Sequence, residues 1–204
     1  MKTTILSFTF LLATIVAKAQ DNYQTEMRKN IDQLDTINNV NSINGSISFF
    51  KAAYGVKNDW HALYEECFAY IKLSKAVKSD EDKKAALQTA ADLLDKLPQQ
   101  NDEVLILKAF YAMNYLAFDH TEWQTYLPML QEALQKAGTL NPDNPRVYFL
   151  SGIMKYNMPA AMGGGHDEGL TILKTAKEKF STYQPADGLA PGWGRREVLQ
   201  YTGK

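Results

Sequence analysis

Apolar residues in this chain recur at three- and four-residue intervals, and no run alternates apolar and polar positions long enough to read as a strand. The period predicts eight or nine helices. Met27, Ile31, Leu34 and Ile37 share one face of a first helix over about 23–37, which the polar stretch from Asn38 to Asn41 breaks. A second, over about 42–54, buries Ile43, Ile47, Phe50 and Tyr54 and stops at Gly55. The third begins at an Asp59 cap and turns Trp60, Leu63, Tyr64, Cys67, Phe68 and Ile71 toward a partner. Ser79 to Asp82 resembles a capping box for the fourth, with Ala86, Leu87, Ala90, Leu93, Leu94 and Leu97 in its core and Pro98 closing it. The fifth, from Asn101, is apolar nearly all the way round, as a central, well-covered helix is. Asp119 to Glu122 caps the sixth, which continues to Gly138 with Pro128 in its second turn. The seventh covers 147–156, the eighth 167–180, and a loop with Pro185, Gly188, Pro191 and Gly192 leads to Trp193 and a short helix over 195–201.

How these helices pack is written most clearly between Asn141 and Ala176. An Asn-Pro-Asp-Asn-Pro-Arg turn, Tyr148, Gly152, and then Gly169, Leu173 and Ala176 interleave small and large side chains, as two closely packed antiparallel helices require. Gly152 admits a second helix where any side chain would hold it off. Helices joined in pairs by short polar turns give an all-α fold, a stack of antiparallel hairpins.

Residues 1–19 read as a basic start, a short apolar core and an Ala-x-Ala site, the order of a cleaved export signal. One mature domain over 20–204 is expected, in the periplasm or secreted. No later segment approaches the roughly 20 apolar residues of a membrane span. Without Lys2 and Lys18 the balance is 20 basic against 23 acidic residues, a net charge of about −3, which points away from nucleic acid as a partner. The single cysteine, Cys67, cannot form an internal disulfide and sits in an apolar pattern, so a buried small hydrophobe is expected.

The segment from Pro142 to Phe180 resembles a tetratricopeptide repeat, a two-helix unit of about 34 residues, with Tyr148 in the aromatic slot, Gly152 in the glycine slot, and Gly169, Leu173 and Ala176 on the second helix. It departs from the pattern at Ser151 and in the lengthened loop 159–166. Trp60 to Pro98 and Val104 to Pro142 look like further, diverged repeats. The export signal, the Asn-Pro-Arg turn, the Gly163–Gly165 loop and the Pro-Gly-Trp-Gly ending are together similar to exported tetratricopeptide-like proteins of Gram-negative bacteria. That resemblance implies a non-enzymatic binding or scaffold protein, holding a protein, peptide or small ligand in a concave helical groove. A more distant similarity, to periplasmic tetratricopeptide-like companions of transporters for small organic acids, implies an accessory ligand-binding subunit; those carry a lipid-bearing cysteine that this chain lacks.

Candidate chemistry is sparse. His61, His120 and His166 are far apart and lack helical ligand spacing, so neither a metal nor a cofactor is expected. A hydrolase would need a catalytic constellation that the sequence does not announce, and no catalytic residue is assigned. A ligand groove is expected to draw on Tyr111, Tyr115, Tyr126 and Tyr148, with Arg146 as a charged anchor or, alternatively, as a salt bridge within its own turn. Gly163, Gly164 and Gly165 precede a helix and can be read as an anion-binding nest, or as a positive-φ crossover with His166 or Asp167 capping the helix behind it. Trp193 is expected to staple the last helix over the end of the stack.

Overall fold

Polar side chains placed at helix starts define most of the architecture. In the computed structural model, which describes residues 22–99 and 101–203, Asn39, Asp59, Ser79, Asn101, Asp119 and Asn144 each accept a hydrogen bond from a backbone N–H one turn ahead. These caps satisfy donors that a helix start would otherwise leave orphaned. The described residues contain nine α-helices and no strand: α1 (22–36), α2 (Val40–Lys57), α3 (Trp60–Ala76), α4 (Asp80–Leu94), α5 (Asp102–Phe118), α6 (Trp123–Leu140), α7 (Pro145–Asn157), α8 (His166–Thr182) and α9 (Arg195–Thr202). The export signal over 1–19 lies outside the described residues.

Several boundaries differ from the sequence expectation: α4 ends at Leu94, short of Pro98, and Asp119 caps a single 3-10 turn (His120–Glu122) ahead of α6, which has no side-chain cap of its own and runs past Gly138 to Leu140. Gly55 does not stop α2, because a glycine inside a helix costs only about 1 kcal/mol. The helix ends instead where Asn58 turns left-handed (φ 51°) and returns its N–H to the Tyr54 carbonyl. Nor do His166 or Asp167 cap α8, whose N-cap is Gly165 with no side-chain acceptor.

The chain is an all-α stack. Each helix packs mainly on its sequence neighbour: α2 on α3, α3 on α4, α5 on α6, α7 on α8. Additional contacts run from α3 to α5 and from α5 to α7, so these three helices form one continuous layer with α5 in its middle, as its all-round apolar character requires. The α7–α8 pair shows why the small residues stand where they do. A Cβ on Gly152 would lie 2.7 Å from Leu173 Cγ, and one on Gly169 would lie 2.4 Å from the Cα and N of Tyr156. Main chain meets main chain there, a separation only glycine permits. Cys67 is fully buried, its thiol facing the Ala90 carbonyl at 3.3 Å, and burial pushes that thiol up, away from reactivity.

The tail after α8 is bound into this frame by a buried arginine. Arg146, 2% exposed, pairs with Glu103 at 3.0 Å and gives its other guanidinium hydrogens to the carbonyls of Pro191 and Trp193. Asn144 and Tyr183 also donate to Glu103, at 2.7 and 3.2 Å. Burial raises the Glu103 carboxyl, and Arg146 and Asn144 oppose that. Arg28 reaches the Ala190 carbonyl at 2.8 Å, and His61 bridges Asp59 and Asp187. Trp193 therefore does not cap the end of the stack. Drawn in by Arg146, it lies against α3 and α5, stacked on Phe68 at 5.3 Å and tilted by 34° against Phe110 at 5.0 Å, its indole N–H donating to the Tyr64 hydroxyl.

Candidate functional site

A cavity of about 510 Å³ opens where the tail crosses the α3–α5–α7 layer. Its apolar wall comes from one aromatic residue on each of those helices, Phe68, Phe110 and Phe149, completed by Trp193 and Ile153. Phe68, Phe110 and Trp193 pack on one another as a trio, Phe68 stacked on Trp193 at 16° and Phe110 tilted by 34° and 39° against the other two. The opposite wall belongs to the tail and α9: Arg196, Glu197, Gln200 and Tyr201. Lys72 and Lys75, in the last turns of α3, and Thr36 and Asn38, in the α1–α2 turn, complete the lining.

The charges are arranged unevenly. Lys72 donates to the carbonyls of Leu34 and Asp35, and Arg196 also donates to Asp35, so both cations close the C-terminal end of α1. Lys75 has no hydrogen bond or ion pair among the described residues, and it is exposed. Glu197 turns back to accept from the Gly194 N–H at 3.0 Å. Beneath this edge, Asp35 holds a carboxylate oxygen that is buried without a hydrogen-bond partner. Burial, with Glu197 next, pushes its carboxyl up; Arg196 and Lys72 pull it down. Lys72, Lys75 and Arg196 stand against two carboxylates at this edge, those of Asp35 and Glu197, which leaves an excess of one positive charge.

None of the residues expected to form a groove lines this cavity. Tyr111, Tyr115 and Tyr126 come together as a separate cluster between α5 and α6, with Tyr115 and Tyr126 stacked at 3.9 Å. Tyr148 gives its hydroxyl to the Pro142 carbonyl and lies under Lys179. Arg146 occupies the buried network above. The offset is a matter of one residue. Phe110 precedes Tyr111 and Phe149 follows Tyr148, and one residue rotates a helix by about 100°. The signal in the sequence was the recurrence of phenylalanine at 68, 110 and 149, about forty residues apart, one per hairpin. Gly163, Gly164 and Gly165 each donate their N–H to a carbonyl of the same region, those of Ala160, Pro159 and Lys155, with Gly163 and Gly165 at positive φ. Among the described residues no cluster of histidine, cysteine and carboxylate side chains could hold a metal ion.

Against known proteins, no family model matches the chain, and no curated protein sequence matches it. Its fold is nevertheless shared. A solved structure of the HusA haemophore from Porphyromonas gingivalis superposes with a TM-score of 0.76 at 25% sequence identity, covering 88% of this chain and 90% of that one. No helix among the described residues is long and apolar enough to cross a membrane.

Proposed function

We propose that this protein is a non-enzymatic binding protein that carries haem or a closely related porphyrin in the cavity between the α3–α5–α7 layer and the tail. The observation that carries this reading is the combination of an aromatic wall with a cationic rim, in a fold shared with a haemophore over most of both chains. A porphyrin is a planar apolar disc bearing carboxylates on one edge. The disc matches the surface of Phe68, Phe110, Phe149 and Trp193, and the carboxylates match Lys72, Lys75 and Arg196. The volume lies in the range of about 300–1,000 Å³ usual for small-molecule sites. Because Lys72 and Arg196 already serve α1, Lys75 is the cation most available to a ligand.

Haem would be cargo here, and no bond is made or broken in it. The leader reading of residues 1–19 supports a periplasmic or secreted location for a mature domain starting at Gln20. The pairing of α3 with α4, α5 with α6 and α7 with α8, and the glycine contacts of the last pair, support diverged tetratricopeptide-like repeats as the origin of the stack. A second reading, an accessory subunit that offers a small organic anion to a transporter, uses the same cations but has no need of the aromatic wall.

The test is titration of the mature protein with ferric protoporphyrin and with metal-free protoporphyrin, followed by porphyrin absorbance and by quenching of tryptophan emission. Saturable binding of one ligand per chain at micromolar or lower concentration is expected, with the Trp193 contribution quenched. Lack of saturation by either porphyrin, or competition by small carboxylic acids at equal concentration, would overturn the reading in favour of the transporter alternative.

A further inference from the structure

Two features of the cavity limit where a ligand can place its charge: the wall cannot receive a carboxylate, and the rim has one cation to spare. We propose that Lys75 is the single charge partner of the ligand and that the cavity accordingly selects porphyrins whose carboxylates lie together on one edge of the ring over those that carry them all round it; this deepens the porphyrin reading and rests on it.

The wall has nothing to offer an anion. Phe68, Phe110, Phe149 and Ile153 carry no side-chain donor, and the indole N–H of Trp193 is already given to the Tyr64 hydroxyl. A carboxylate laid against these residues loses its water and gains no hydrogen bond, which is among the costliest arrangements in a protein. Every carboxylate of a bound ring must therefore reach the rim or the open mouth.

At the rim the cations are unequal. Lys72 donates to the carbonyls of Leu34 and Asp35, at 2.6 and 3.2 Å, and Arg196 donates to the Asp35 carbonyl and stands 3.7 Å from Glu197. Between them these two cations offset the carboxylates of Asp35 and Glu197, both of which act on Lys72. The remaining charge is that of Lys75, in the last turn of α3, exposed and without a hydrogen bond or ion pair among the described residues. Burial lowers the Lys72 ammonium, and the fields of Arg196 and Lys75 add to that, against Asp35 and Glu197. An anion beside Lys75 relieves this crowding of like charges.

The other polar residues of the lining are neutral. Thr36 gives its hydroxyl to the Gln33 carbonyl, while the amides of Asn38 and Gln200 make no hydrogen bond among the described residues. Such amides can hydrogen-bond a second carboxylate but cannot neutralise it. A ring with two carboxylates side by side suits this arrangement, one on Lys75 and the other on amides and water. With one on each of its four pyrroles, a ring that turns any edge to Lys75 brings charge from the opposite edge against the wall.

The experiment titrates wild type, Lys75→Gln and Lys75→Arg with three metal-free rings: protoporphyrin, with two adjacent carboxylates; its bis(hydroxyethyl)amide, with none; and coproporphyrin, with one on each pyrrole. Wild type is expected to bind protoporphyrin at least about tenfold more tightly than either of the others. Lys75→Gln should lose about tenfold for protoporphyrin and stay within about twofold of wild type for the amide, which also reports that the cavity is intact. Lys75→Arg keeps the charge and should keep the preference. Equal binding of protoporphyrin and either other ring by wild type overturns the inference and leaves the porphyrin reading standing. So does a Lys75→Gln affinity for protoporphyrin like that of wild type, or a loss that extends equally to the amide, since charge is then not what the residue supplies. Binding of none of the three rings by wild type overturns both.

Discussion

At the scale of single residues, the interior of this protein is unusual in the charges it contains. Arg146 satisfies its guanidinium with one carboxylate and two carbonyls, and Phe180, Tyr183 and Trp193 present ring faces to it between 5.4 and 5.9 Å. Replacing a buried pair by apolar groups can be neutral, but removing one partner strands the other. Arg146→Met should therefore destabilise the protein by roughly 3–5 kcal/mol in urea unfolding. Adding Glu103→Gln to it should recover part of the loss, and a single-variant loss well under about 1 kcal/mol would refute the keystone role. Glu65 behaves differently. It is 2% exposed with one oxygen unpartnered, and burial drives its carboxyl up to about 8, against the pull of Arg28 and Arg146. The folded chain thus keeps a proton that the unfolded chain has released above the ordinary value of 4.5. Stability is fullest below that value and is lost as pH rises toward about 8, a decline on the order of 3–5 kcal/mol. Glu65→Gln removes the titration, so its stability should exceed that of wild type at alkaline pH and approach it in acid. Parallel stability curves for the two proteins would show that this carboxyl does not carry the effect.

At the scale of the elements, the caps and the period carried most of the information. Asp59, Ser79 and Asn101 were readable as starts because short polar side chains satisfy a helix's first N–H groups, whereas Asp119 caps the 3-10 turn His120–Glu122 and not α6. The ends were less readable. α2 passes through Gly55 because its neighbour α3 supplies packing that outweighs a weak local preference, and the stop is set by Asn58 in a left-handed turn. Glycines with different surroundings separate propensity from packing. Gly169→Ala places a methyl 2.4 Å from the backbone of Tyr156, and no rotamer relieves a clash with main chain. α7 and α8 must part, and a loss of roughly 3 kcal/mol or more is expected, in the range of overpacked and strained sites. Gly45→Ala, in the middle of α2 with nothing within 4 Å, should instead stabilise by about 0.5–1 kcal/mol. Thermal unfolding of both variants decides the matter: if they shift the midpoint in the same direction, the helix contact does not depend on glycine as described.

At the scale of the whole molecule, the site is assembled from parts that no local pattern joins. The three phenylalanines come from successive hairpins, whereas Trp193, Arg196 and Tyr201 come from a tail whose position depends on Arg146, Arg28 and His61. Periodicity assigns Phe110 and Tyr111 to one helix but does not say which of them faces the tail, because the tail's path is set by hydrogen bonds between residues more than forty positions apart. The tyrosines drew attention as groove residues by their chemistry, and the apolar rings beside them took the cavity. This construction makes ligand binding and tail attachment one equilibrium. A ligand that touches α3, α5, α7 and α9 together binds only the assembled state, and at a hundred times its dissociation constant it adds about 2.7 kcal/mol. For a chain of this size that raises the unfolding midpoint by roughly 5–10 °C. Ending the chain after Gly194 keeps Trp193 and the carbonyls that Arg146 needs, so the helical stack should persist with a lowered midpoint. It removes Arg196, Gln200 and Tyr201, and with them one wall of the cavity. Metal-free protoporphyrin should therefore raise the midpoint of the full mature chain but shift that of the shortened one by less than about 2 °C. An equal shift in both would place the ligand away from α9, on a surface that the tail does not help to build.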